Sequence, residues 1–404
     1  MLFELVLALT LGVMAGALSG ISPGIHINLV ASGLFAGLGF FSGLGIDSIS
    51  LVVFIVAMSI THTFIDFIPA VFLGAPEEDS LLSVLPGHKM LLAGRGYEAV
   101  VFTFYGSLTA ILIILFWSLI FSFFLDKFFG IVKFLIPFIL IFVSLYFIFR
   151  ERNVYTPLIV FLLSGVLGFL TFNLPVREPL LPLLSGLFGV SGIIVSLKNR
   201  VAIPKQRILE LKKISLKRKD FLKAVAASFF AAPLCSFLPG IGSGQASLLG
   251  SEIMGSTKDN EESFLFLNGA VSTIVMGLSF VTLFSLGKSR TGTGVVVGNL
   301  IGKVGLDELF LILIVVIVSG FLAFILGLFL ARLFARGINL LDYRKVSFFV
   351  LLILLIVNIF LSNWIGLVVL VTGSALGVFS ILSGTRRINL IGCLLIPSII
   401  YYLF

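Results

Sequence analysis

The chain alternates long apolar runs with short polar interruptions, and the runs have the length of bilayer crossings. A helix needs about 20 apolar residues to cross the hydrocarbon core. The pattern predicts membrane helices over 2–20, 48–72, 98–125, 130–149, 154–174, 178–197, 264–286, 307–331, 346–362, 364–382 and 388–403. Two further apolar segments are broken from within. One runs into Pro23-Gly24 and resumes as IHINLVASGLFAGLGF; the other is Ser236 to Gly250, SFLPGIGSGQASLLG, with Gly240, Gly242 and Gly244 at alternate positions. At membrane depth, irregular backbone is tolerated where protein buries it or where it lines a wet cavity, so a broken apolar helix points to a site.

The two breaks are copies. A shift of 216 residues lays Pro239-Gly240-Ile241 on Pro23-Gly24-Ile25, and Ser228, Ala232 and Ser236 on Gly12, Gly16 and Gly20. Small residues at this spacing let helices pack closely. Further on, a shift of 213 lays Gly287 on Gly74, and so Lys288–Thr291 on Ala75–Glu78. The chain divides into a first repeat (1–197), a basic linker (198–219) and a second repeat (220–404). The linker holds nine of the 27 Lys and Arg residues, which the positive-inside rule places in the cytoplasm of a cell-membrane protein. The bases at Arg150/Arg152, Arg332–Lys345 and Arg386/Arg387 favour halves of opposite orientation, with Lys127 and Lys133 running against it. The expected fold is an all-α polytopic membrane protein with two inverted repeats, whose broken or re-entrant helices meet near the midplane.

Composition narrows the classes. With 59% hydrophobic and 11% charged residues, a water-soluble domain is excluded. The N-terminus carries Glu4 and no basic cluster, so it reads as a membrane segment rather than a cleaved signal. Cys235 and Cys393 show no metal or disulfide spacing. The net charge of +8 sits in short loops without a nucleic-acid reader motif, though contact with anionic membrane lipids fits it.

The chemistry centres on an anion. Half-helix starts at the breaks offer backbone N–H groups and a favourable dipole. Around Pro23, Gly24, Pro239, Gly240, Gly242 and Gly244, a ligand can approach the backbone, with Ser243 and Gln245 adding donors. His26 and Asn28 follow the first break. Lys288, Ser289, Arg290 and Thr291 add positive charge and hydroxyls from the paired loop, whose first-repeat counterpart carries Glu77 and Glu78. His62 and Asp66, at i, i+4 within a span, share a face and are candidates for coupling to H⁺ or Na⁺. An intramembrane metal-dependent enzyme built on His26, His62 and His88 is a weaker alternative, since HExxH and Walker A segments are missing from the sequence.

Several ordered segments carry a resemblance: GxxxGxxPG near the start, FLGAP…PGHKMLLAGRGYEA, and SFLPGIGSGQAS after the basic linker. Together they resemble the large permease subunit of tripartite tricarboxylate transporters, and more closely its shorter archaeal-type relatives. Pro23, Gly24, Pro76, Gly87, Met90, Gly94, Pro239, Gly240 and Gly242 match that pattern by position. The resemblance implies a secondary transporter with inverted repeats and Gly-rich loops that bind a polycarboxylate. It also implies a small membrane subunit and a binding protein as partners; a homodimer is a further arrangement. The chain departs from the family where the second loop reads Gly287-Lys-Ser-Arg-Thr instead of a neutral Gly-x-Pro-Gly-Ser, and where Glu77-Glu78-Asp79 stands in place of one acidic residue. A Lys/Arg pair in apolar surroundings would also suit a lipid phosphate, so the anionic cargo is a small polycarboxylate by resemblance or a polyprenyl phosphate by local chemistry. No cofactor beyond a coupling ion is implied.

Overall fold

The computed structural model describes residues 2–22, 27–36, 43, 46–74, 84–151, 153–198, 204–237, 242–255, 260–338 and 343–404. All regular structure among them is helical. The first half holds α1 (Leu2–Ile21), α2 (Ile27–Ala36), α3 (Ser48–Ile65), α4 (Phe67–Leu73), α5 (Val84–Leu92), α6 (Gly96–Phe149), α7 (Tyr155–Asn173) and α8, a run over 180–198 with a π-helical middle. The second half holds α9 (Arg218–Phe237), α10 (Ser243–Ile253), α11 (Glu261–Leu286), α12 (Gly292–Ile301), α13 (Leu306–Gly337), α14 (Tyr343–Leu382) and α15 (Gly392–Leu403). Among the described residues, eight helices are long and apolar enough to cross a membrane.

The element order of α1 to α6 recurs in α9 to α13. α1 and α9 each have 20 residues, and the continuous span Ser48–Leu73 and α11 each have 26. The caps recur too. Asp47 accepts from Ser50 N–H at the start of one span, and Asn260 accepts from Ser263 N–H at the start of the other, each relieving an orphan helix donor. Both spans close on a left-handed glycine, Gly74 (φ 65°) and Gly287 (φ 63°), where a side chain would be strained.

These two spans form the centre of the bundle, and glycines set how their neighbours lie. A Cβ at Gly12 would stand 2.5 Å from Phe54 O, one at Gly16 would meet Met58 O, and one at Gly20 would meet Ile65, so α1 lies backbone-close and parallel to α3. α6 runs parallel to α11 through Gly106 against the Phe266 carbonyl, Gly269 against the Thr103 carbonyl and Gly277 against Ile114. At that crossing the Ser107 hydroxyl donates to Gly269 O at 3.0 Å. α13 runs parallel to α3, with Gly320 by Ile60 and Gly327 by Ile65, and antiparallel to α6, with Gly320 by Ile111 and Gly327 by Phe104. α3 and α11 therefore point in opposite directions, and they touch at Thr63 and Thr273, whose hydroxyls are 3.2 Å apart.

Because α1 and α3 are parallel, the chain between them must travel back, and α2 is part of that return. α9 likewise begins beside α11, with Phe221 against Phe266, and α10 returns along it through Ser247 at Asn268 and Gly250 at Leu267. α9 and α10 thus form a hairpin, and α1 and α2 are read as another. α12 starts beside Ser279 and leaves past Leu283, where Gly298 packs; α5 leaves past Val71, where Gly87 packs.

The described part of the linker, from residue 204 on, is strapped down. Buried Gln206 accepts from Gly96 N–H at 2.8 Å, capping α6, and donates to Leu91 O at 3.0 Å. Arg207 N–H donates to Gly94 O at 2.8 Å, and the Tyr105 hydroxyl donates to Leu211 O at 3.2 Å. On the same face Lys89 pairs with Glu261 (3.3 Å), while Arg95 pairs with Glu98 (2.7 Å) and Glu262 (2.5 Å). These carboxylates, Glu98 first, hold the Arg95 guanidinium firmly protonated. The helix that follows, α9, begins at Arg218.

α7, α8, α14 and α15 form a second layer. α15 packs on α7 where Gly165 meets Ile396 and Gly168 meets Cys393. α14 turns at Asn363 (φ 66°), whose Oδ1 caps Ile365 and Gly366 N–H and whose Nδ2 donates to Pro175 O. The two apolar runs read on either side of that residue are the two arms.

Candidate functional site

The geometry follows from the hairpins. Four helices are short, α2, α12, α5 and α10; α12 runs from Ser279 past Leu283 towards the face opposite the linker, and α10 runs past Asn268 and Leu267 towards the linker face. They have 10, 10, 9 and 11 residues, and ten helical residues measure about 15 Å, half of a hydrocarbon core of about 30 Å. The N-termini of α10 and α12 thus face the middle of the bundle from both sides. A helix start carries a partial positive charge.

The second-repeat half of this region is described in most detail. Gly242, Ser243 and Gly244 are buried at the start of α10. At α12, Thr291 is the N-cap and accepts from Gly294 N–H at 3.1 Å. Around it lies a knot of hydroxyls: Ser279 Oγ at 2.8 Å, Thr293 Oγ1 at 3.2 Å, and Ser289, which donates to Ser279 O at 2.9 Å. A Cβ on Gly294 would collide with the Ser289 hydroxyl, which explains the glycine there. Arg290 is partly buried and its NH1 donates to Cys235 O at 3.3 Å. That carbonyl is in the last turn of α9, next to the break, so Arg290 joins the α12 loop to the hairpin. Lys288 is exposed at the rim.

His62 and Asp66 are buried on the other central span. Asp66 sits at the joint of α3 and α4, its N–H donating to His62 O at 3.0 Å, and His62 Nδ1 lies 3.0 Å from the Ser19 hydroxyl on α1. Ser19 is in the last turns before the first break, so the ionisable pair touches the first hairpin. His88 is on α5, a separate helix from His62, and among the described residues no three His, Cys, Asp or Glu side chains come together as a metal site.

Pro23, Gly24, His26, Glu77, Glu78, Pro239 and Gly240 lie outside the described residues, as do the side chains of Asn28 and Gln245. Residues not singled out from the sequence are Ser19, Ser247, Asn268, Ser279 and Thr293. Asn268 and Ser279 were open to discovery as polar positions on one face of an otherwise apolar span; Ser19 had no local signal, since only the fold brings it to His62.

Comparisons with known proteins agree with this architecture. Residues 6–392 match the model of the tripartite tricarboxylate transporter TctA family. An uncharacterized protein of Methanocaldococcus jannaschii is 30% identical over 98% of both chains. No solved structure matches the chain.

Proposed function

This chain belongs to the tripartite tricarboxylate transporter TctA family, and we propose that it is a secondary transporter that carries an oxyanion through a site at the middle of the bundle. The observation that carries the reading is the convergence of half-helix N-termini on a region where Arg290 already reaches the α9 hairpin. Helix N-termini favour negative charge, and a guanidinium binds carboxylate and phosphate in two-pronged fashion. The opposed directions of α3 and α11, with matching lengths and caps, support two inverted repeats. Alternating access would then be a rocking of one half against the other. The basic strap supports a cytoplasmic assignment for its face in a cell membrane.

In this reading, His62 and Asp66 couple cargo to H⁺ or Na⁺ through Ser19 and the first hairpin. The family's tripartite organisation supports a small membrane subunit and a binding protein as partners. The cargo is a small polycarboxylate. A polyprenyl phosphate is the second reading, favoured by the charged loop Lys288-Ser-Arg290, where one compact phosphate head would find cation and hydroxyls together.

Thermal stability of the purified protein separates the two. A ligand that binds only the folded state raises its melting temperature by mass action. Stabilisation by citrate that disappears in Arg290→Ala identifies a polycarboxylate permease, and stabilisation by a short-chain polyprenyl phosphate alone identifies a lipid-phosphate translocase. A wild type indifferent to both refutes the oxyanion reading.

A further inference from the structure

α11 carries a polar stripe inside the bundle. Asn268, Ser272 and Ser279, at i, i+4 and i+11, fall on one helical face. α10 covers one end, where the Ser247 hydroxyl donates to Asn268 Oδ1 at 2.7 Å. The start of α12 covers the other, where Ser279 meets Thr291. Asn268 and Ser272 are 0% and 1% exposed, and neither Asn268 Nδ2 nor Ser272 Oγ has a hydrogen-bond partner among the described residues. Buried polar atoms are nearly always partnered, because an unpaired one loses its water and gains nothing. Two on successive turns of one face, between two half-helix starts, need a common explanation.

What they lack is an acceptor. Asn268 Oδ1 is occupied by Ser247, so the amide has only its N–H donors to offer, and Ser272 can turn its hydroxyl the same way. One turn before Ser247 is Ser243, which opens α10 on the same face. The unpaired Nδ2 would repel a cation, whereas a carboxylate or phosphate oxygen would find its complement there. We infer that Asn268 and Ser272 are ligands of the transported oxyanion, donating to its oxygens from α11 while Arg290 and the α12 start hold it from the opposite end of the stripe. This rests on the oxyanion reading above and assigns binding residues that lie outside both Gly-rich loops.

The test measures affinity for citrate and for a short-chain polyprenyl phosphate, with the melting temperature of the ligand-free protein, in wild type, Asn268→Leu, Asn268→Asp, Ser272→Ala and Arg290→Ala. For whichever probe binds wild type, Asn268→Leu should weaken binding about tenfold or more, the scale of one lost charge-assisted hydrogen bond. Its ligand-free melting temperature should stay near that of wild type, since the unpaired Nδ2 donor goes while the Ser247 hydroxyl loses its acceptor. Asn268→Asp should abolish binding by setting a carboxylate against the oxyanion, and Ser272→Ala should weaken it by a smaller factor. Binding that is lost in Arg290→Ala but intact in both Asn268→Leu and Ser272→Ala overturns this assignment alone. Stabilisation of Asn268→Asp by Na⁺ would make the stripe a cation site and overturn it as well. If neither probe binds wild type, the assignment and the oxyanion reading fall together. Should Asn268→Asp not fold, the Leu and Ala variants decide.

Discussion

The span Ser48–Leu73 and α11 are built alike and equipped differently. Each has 26 residues, a side-chain-capped start, a left-handed glycine at its end and small-residue neighbours laid close along it. One carries His62 and Asp66 at its interior; the other carries Asn268, Ser272 and Ser279. The positions correspond as well: Ser279 stands in α11 where Asp66 stands in the first span. What the two spans share, caps, closures and close small-residue contacts, is fixed by backbone geometry. Their interior polar residues differ. We read the first span as the ion-handling side and the second as the cargo-handling side of a single site.

Substitutions at the shared frame should have the largest effect. Gly106→Val or Gly269→Val forces a side chain into the facing carbonyl at the crossing of α6 and α11. Overpacking of this kind typically costs about 1–3 kcal/mol and more where backbone must move, and little folded protein should survive size-exclusion chromatography in detergent. Monodisperse protein with a wild-type melting temperature would show that the crossing is looser than the contacts indicate.

Cargo-side changes come next. Arg290→Ala should weaken oxyanion binding by about ten- to a hundredfold, the range for a charged hydrogen bond, with the melting temperature of the empty protein near that of wild type. Gly242→Val should also impair binding, by closing the backbone approach at α10; unchanged uptake would remove that stretch from the site. On the ion side, Asp66→Asn should leave affinity for cargo within a few fold of wild type while removing the dependence of uptake on an imposed H⁺ or Na⁺ gradient. If Asp66→Asn instead abolishes binding, the two spans do not divide the labour as described.

The smallest effect belongs to the clasp on the linker face. Arg95→Ala breaks ion pairs of a partly exposed guanidinium with part-exposed Glu262 and buried Glu98, an effect of about 1–2 kcal/mol. It should lower the melting temperature slightly, and more so at low salt. Gln206→Ala should act in the same direction through the lost cap of α6. Equal sensitivity of both variants to salt would contradict the distinction, since only one of them removes charge.

The frame was legible in the sequence because it is written locally. Apolar length gave the long helices, the ladder Gly12-Gly16-Gly20 gave a close helix contact, and Gly74 and Gly287, matched by shift, both close a long span in the left-handed conformation. Arg290 was legible as a charge beside a break, and the structure puts it against Cys235 of the hairpin. The docking of Gln206, the contact of Ser19 with His62 and the pairing of Ser247 with Asn268 join residues from separate elements. No periodicity encodes such contacts. The helical run over 96–149 likewise joins two apolar segments read as separate spans, because the bases and glycine between them do not interrupt helical hydrogen bonding there.

The most direct test of the central claim is transport itself. Wild type and Arg290→Ala, reconstituted at equal folded amounts in liposomes, would be compared for movement of labelled citrate and of a labelled short-chain polyprenyl phosphate across the bilayer. An oxyanion site at the half-helix starts predicts that wild type moves one of the two and that Arg290→Ala slows it by about tenfold or more. Equal movement of that compound by both proteins would contradict it.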